Sequence, residues 1–222
     1  MTRATLLAAL LASASLPATA ANFVSNGSFE SGLSGWTLSG GNLTNFPPVA
    51  IFYGAGQAYP GGAFGEAVPA SNALTNSPDV VGGRAAYFVS DFAGPHTLSQ
   101  TVALTAGTYQ IGFSYYAPAN GFANAGEATF AGIIAGLTLV NAAVSAGPAT
   151  TWRAFQGVAN IAADGNYLVE FVFNTNFNPS KDVVIDQVYI IAGNPPPPGV
   201  PAPAALALFG IGLMGLGLLR RR

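Results

Sequence analysis

Few residues in this 222-residue chain could do acid–base or nucleophilic chemistry: seven Lys and Arg, nine Asp and Glu, one His and no Cys. A nucleophilic triad needs a base, and the single histidine, His96 in GPHTLSQ, falls at a predicted loop-to-strand junction and is expected to be an exposed loop residue. A zinc site would need several His or Cys ligands, which the composition does not supply. A carboxylate pair for glycoside hydrolysis would have to come from Glu66, Asp79, Asp91, Glu127, Asp164 and Glu170, and no spacing singles out two of them. Glu170 alternates with Val169 and Phe171 in the manner of a solvated strand position. The glycine-rich GAGQAYPGG lacks a Lys and a following helical pattern, so it does not cradle phosphate. The expected protein is not an enzyme.

Binding chemistry has better material. Phe52, Tyr53 and Tyr59, in or beside a long stretch rich in Gly, Pro and Asn (40–83), and Tyr116, on the polar side of its strand, are the candidate ligand-stacking aromatics. Trp36 and Trp152 read as core. Between residues 21 and 200 only Arg84, Arg153 and Lys181 face all nine acids, an excess of six negative charges. No basic patch exists to neutralise phosphates, which excludes nucleic acid as a partner.

The elements that must position these residues are strands. In TYQIGFSYYA (108–117), Tyr109, Ile111, Phe113 and Tyr115 alternate with Gln110, Gly112, Ser114 and Tyr116; YLVEFVFN repeats the period with Tyr167, Val169, Phe171 and Phe173. Further strand candidates are 49–53, 84–90, 97–104, 128–140, 152–159 and 182–191, with turn signals at Thr105–Thr108 and Ala163–Asn166. Eight to ten strands, no convincing internal helix and no internal repeat predict an all-β fold, a single β-sandwich of jelly-roll type over 21–193.

The opening NFVSNGSFESGLSGWTLSGG, the central LSQTVALTAGTYQIGFSYYA and the closing DVVIDQVYI together resemble carbohydrate-binding-module-like jelly rolls of the galactose-binding fold. The resemblance implies that Glu30 and Asp186 help hold a structural calcium where the first and last strands meet, a role that hard oxygen ligands suit. It implies extracellular polysaccharide as the partner, although the fold hosts many activities.

The two ends read as addresses. MTRATLLAALLASASLPATA (1–20) has a positive start, an apolar stretch and an A-x-A site, which predicts a signal peptide cleaved between Ala20 and Ala21. A proline-rich linker (194–199) is followed by a segment (200–222) that resembles the PEP-CTERM sorting signal read by an exosortase. Its motif is Val200, Pro201, Ala202 and Pro203, its apolar helix 204–219, and its stop Arg220, Arg221 and Arg222. Ala202 stands where the family usually has Glu. That helix would span roughly 24 Å at ~1.5 Å per residue, a marginal transmembrane anchor for a ~30 Å hydrocarbon core. The positive-inside rule keeps the arginines in the cytoplasm and the body outside it. The expectation is an exported protein, held transiently at the inner membrane, processed by the exosortase-type enzyme and delivered to the cell surface or beyond, where it associates with exopolysaccharide or biofilm. A carbohydrate-binding module with a specific glycan ligand is the alternative, and a carboxylate-dependent hydrolase or lyase the more remote one.

Overall fold

A computed structural model describes residues 21–44, 46–52, 57–58, 67–68, 78–89, 94–175 and 179–193. The predicted leader (1–20, with Ala20), linker (194–199) and sorting segment (200–222), together with Tyr53 and Tyr59, lie outside the described residues. No helix among the described residues is long and apolar enough to cross a membrane.

The strands are β1 (Thr37–Ser39), β2 (Val49–Phe52), β3 (Gln57–Ala58), β4 (Ala67–Val68), β5 (Arg84–Phe88), β6 (Gly94–Leu104), β7 (Gly107–Tyr116), β8 (Ala128–Ile134), β9 (Leu137–Ala143), β10 (Arg153–Ile161), β11 (Gly165–Thr175) and β12 (Val183–Ala192). Among the described residues one short α-helix, α1 (Ala119–Ala123), follows Pro118, and one 3-10 turn spans Val144–Ala146. Two five-stranded antiparallel sheets, ordered β1-β6-β11-β8-β9 and β10-β7-β12-β5-β2, form the sandwich, and β3 and β4 make a separate two-stranded ladder. The alternating apolar residues face each other across the sheets: Phe113 of β7 has its ring 4.9 Å from that of Phe171 in β11 and 5.4 Å from that of Phe155 in β10. Phe113 and Phe171, both fully buried, each contribute on the order of 1.5–3 kcal/mol by leaving water, and the half-buried Phe155 less.

Period two fails as a guide at three places. The run 128–140, expected as one strand, is a hairpin: Ala135 and Gly136 both take positive φ (50° and 82°) and turn β8 into β9. His96, expected on an exposed loop, is a residue of β6 and is 1 % exposed. Tyr116, expected to face outward, does so and is nonetheless fully buried: the outer face of the second sheet carries its own apolar cluster of Tyr87, Val89, Ile51, Val184 and Tyr116. Phe46, Val49 and Trp152 pack over that cluster.

The opening segment is fastened by side chains. Gln100 of β6 accepts from Ser25 N–H (2.7 Å) and donates to the carbonyls of Ser25 (2.9 Å) and Gly35 (3.0 Å). Asn22 accepts from Ile190 N–H and donates to Val188 O in β12, 2.9 Å each. Gly27 lies so close to β12 that a Cβ there would stand 2.1 Å from Val188 O, which is why the Asn-Gly of the opening motif has no side chain at its second position.

Candidate functional site

On the outer face of the second sheet, beyond the apolar cluster, the residues become polar. Three cross-strand rows define the surface. Gly112 of β7 lies between Gln156 of β10 and Tyr189 of β12, Gln110 between Val158 and Ile191, and Ser114 between Ala154 and Asp186. A groove of about 630 Å³ runs over these rows, lined by Gln110, Ser114, Gln156, Gln187 and Tyr189, with Asp79–Val81 beside it. A smaller depression of about 340 Å³ extends it over Gly157 and Val158.

Tyr189 reaches this face through a bulge. Asp186 and Tyr189 are three positions apart, while their partners Ser114 and Gly112 are two apart, so β12 carries one extra residue. Gln187, at φ 54°, absorbs it. Before the bulge Val184 and Asp186 point outward; after it Val188 and Ile190 fill the core and Tyr189 turns outward. Gln187 accepts from Ser114 Oγ at 2.9 Å. Asp186, fully buried, accepts from Gln187 N–H at 2.7 Å and so fixes the irregular backbone.

Gly112 makes room for the tyrosine. A Cβ at 112 would stand 2.6 Å from Tyr189 Oη and 2.7 Å from Cζ, so the phenol end of the side chain rests against the bare strand, and Tyr189 lines the groove. Its hydroxyl makes a long contact to Gln156 Oε1 (3.5 Å), and burial pushes its pKa up, keeping it a neutral donor. Asp79 accepts from Val81 N–H at 2.9 Å and holds the neighbouring turn, which presents Val80 at 95 % exposure. Asp79 is the one acid among the described lining residues, and none is a cation. An aromatic face between amides and hydroxyls can stack on the C–H face of a pyranose and pair with its hydroxyls without charge.

Of the ligand residues predicted from sequence, the described Tyr116 and Phe52 do not line the groove. Tyr116 packs against Trp152 (ring centroids 5.1 Å apart), and burial pushes its pKa up to about 12; closed to solvent, it offers no face to a ligand. Phe52 is 44 % exposed, and the Arg84 guanidinium covers one side of its ring at 3.9 Å. Trp36 is in the core against Phe29 and Phe171, as expected. Glu30 Oε1 accepts from the N–H groups of Gly83 (2.9 Å) and Arg84 (2.7 Å) at the start of β5, and Asp186 follows Ile185, which pairs with Ala86 of β5. Each carboxylate uses one oxygen on backbone donors, and among the described residues no group of three His, Cys, Asp or Glu gathers. A calcium shell of about six to eight oxygens there would be completed by carbonyls.

The groove residues Gln110, Ser114 and Gln156 are legible as outward positions of their strands, while Tyr189 is hidden by the bulge, whose trace in sequence is the adjacent polar pair Asp186–Gln187 inside an apolar run.

No protein-family model and no curated protein matches the chain. Among solved structures it is similar to a family 61 carbohydrate-binding module, TmCBM61, in complex with β-1,4-galactotriose (18% identity, 78% of this chain and 99% of that one, TM-score 0.44). It is similar to a family 16 carbohydrate-binding module (16% identity, 77% and 99% of the two chains, TM-score 0.43). The enzymatically active domain of a tailspike protein of bacteriophage CBA120 is also similar (17% identity, 78% of this chain, 21% of that one, TM-score 0.45).

Proposed function

We propose that the sandwich is a non-catalytic, glycan-binding protein that holds a neutral polysaccharide chain in the groove over β10, β7 and β12. The observation that carries this reading is Tyr189, its phenol end resting against Gly112, in a groove that it lines together with Gln110, Gln156 and Gln187. Stacking and neutral hydrogen bonds suit an uncharged sugar, and among the described lining residues Asp79 is the one acid. Calcium belongs to the same reading as a clip between the opening segment and the last strand, at Glu30 and Asp186. Export, exosortase processing and delivery to the cell surface or an exopolysaccharide matrix also belong to it, supported by residues 1–20 and 200–222 of the sequence alone. A galactose-binding-type jelly roll is the fold it implies.

The test is affinity electrophoresis of the protein through gels containing neutral polysaccharides, galactans, xylans and glucans among them. One or more should retard the wild type. Tyr189→Ala should lose about 1–3 kcal/mol of binding, roughly a tenfold to hundredfold weakening, with its melting temperature little changed. Retardation that survives Tyr189→Ala and Gln156→Ala would move the site away from this groove.

A further inference from the structure

Among the described strands, each five-stranded sheet is bounded by two that pair on one side only. A bare edge recruits further strands unless it is guarded by shortness, charge, proline or a bulge. Three of the four edges carry such a guard. β1 is three residues long and β2 four. β9 carries a bulge, since Gly132 and Ile133 of β8 are adjacent while their partners Val140 and Thr138 are two apart. β10 carries none: its nine residues all pair with β7 in unbroken register, and from Ala154 to Ile161 it has no charged residue and no proline. We propose that β10 pairs antiparallel with β10 of a second copy of this chain, about a two-fold axis at Gly157.

The strand is complementary to itself. Phe155 and its odd-numbered neighbours face the core, while Gln156 and Val158 face the groove side. An antiparallel ladder in which Gly157 meets Gly157 sets Gln156 against Val158 and Phe155 against Ala159, so core side lies on core side and outer side on outer. Arg153, at the end of the ladder, meets Ile161, and no like charges stand opposite each other. Such a nine-residue ladder adds about eight to ten N–H···O bonds, the number found in specific interfaces. Apolar surface lies exposed on both sides of the centre. Val158 is 51 % exposed on the outer side; Leu137 of β9, 39 % exposed, reaches beneath β10, where its Cδ2 would stand 2.9 Å from a Cβ at 157. A two-fold axis at Gly157 brings each of them toward its own copy and out of water.

The axis joins the two five-stranded sheets that contain β10 into one and turns both outer faces the same way. The depression of about 340 Å³ over Gly157 and Val158 then lies at the seam, and the second copy brings its own Gln156 and Val158 to it. The two Tyr189 grooves open onto one surface. The consequence for binding rests on the glycan reading of that groove: one polysaccharide chain contacts both copies and gains affinity by avidity rather than by new kinds of contact.

The test is sedimentation of the full chain in detergent micelles, wild type beside Val158→Lys and Val158→Glu. At micromolar concentration the wild type should carry two chains per particle. Either substitution sets two like charges diagonally across the axis and should weaken pairing at least tenfold, leaving one chain per particle. An equimolar mixture of the two variants should restore two, which a misfolded chain could not do. A wild type with one chain per particle, an assembly larger than two, or a pair indifferent to both charges would overturn the proposal. The glycan reading is checked apart from it: in a neutral-polysaccharide gel, the wild type and the mixture should be retarded at least tenfold more strongly than either variant alone. If no glycan retards any of them while the mixture still restores the pair, the glycan reading falls and the pairing stands.

Discussion

At the scale of single residues, the structure depends on a few positions where burial and composition disagree. His96 is the clearest: its ring is buried in β6, Nε2 lies 3.3 Å from Asn42 O, and Nδ1 has no hydrogen-bond partner. Around it are the backbone of Gly41 and, across the sheet, Phe173, with which it pairs. Desolvation lowers its pKa below the ordinary value of 6.5, outweighing the backbone contact that raises it. The native state therefore holds the ring neutral, while the unfolded chain takes up a proton near pH 6.5. The stability this provides is complete above about pH 6.5 and is lost as pH falls below it, with a limiting slope of about 1.4 kcal/mol per pH unit. His96 is the chain's only histidine, the side-chain type whose ordinary pKa of 6.5 opens the window between about pH 6.5 and 5. Denaturant unfolding at a series of pH values should show stability declining across that window and a flat profile in His96→Gln. A wild-type profile already flat there would show that His96 is not held neutral. The residue type marked His96 as the sole base in the sequence. Its burial was not legible, because a strand starting at Gly94 rather than at residue 97 takes the histidine into the sheet.

Among elements, the joint between the opening segment and the strands β5 and β12 is where the two ends of the body meet. Glu30 fastens it, accepting two backbone N–H groups at the start of β5, and Asp186 accepts from Gln187 N–H within the bulge that turns Tyr189 outward. A calcium ion bound there would act on the native state alone, and at a concentration of 100 times its Kd would add about 2.7 kcal/mol. Adding millimolar calcium to the chelator-treated protein should thus raise its melting temperature. Glu30→Gln should abolish that rise, because the amide oxygen still accepts from Gly83 and Arg84 but the charge is gone. A melting temperature that is the same in calcium and in chelator would remove the ion from this joint. Strand content was legible at this scale wherever period two ran unbroken, as in β7 and β11. It was not legible where a local backbone event reset the phase: the positive φ at Ala135 and Gly136, which splits one predicted strand into a hairpin, and the extra residue in β12. Such events are carried by one or two dihedral angles and leave little mark on a hydrophobic pattern.

For the molecule as a whole, the outer face of the second sheet explains why the aromatic candidates divided as they did. Its β5 end is closed by Trp152, Phe46 and Val49 over Tyr116 and Tyr87, making a second core, and its other end stays open and polar. Sequence alternation places a residue on one face of a sheet but cannot tell a solvated outer face from a covered one, because covering depends on segments distant in the chain. Charge, by contrast, is a sum, and it was legible from the start: three basic residues against nine acids between residues 21 and 200. That balance and the described lining of the groove, with Asp79 its one charged side chain, together determine how binding responds to salt. A protein that neutralises several phosphates loses roughly a thousandfold or more in affinity between about 50 and 200 mM salt, through counterion release. Stacking on Tyr189 and hydrogen bonding to glutamine amides release no counterions, so retardation in a neutral-polysaccharide gel should change by less than about twofold over the same range. A steep loss of retardation with salt would mean that the ligand is a polyanion held by Arg84, Arg153 or Lys181, and that the open groove is not what binds it.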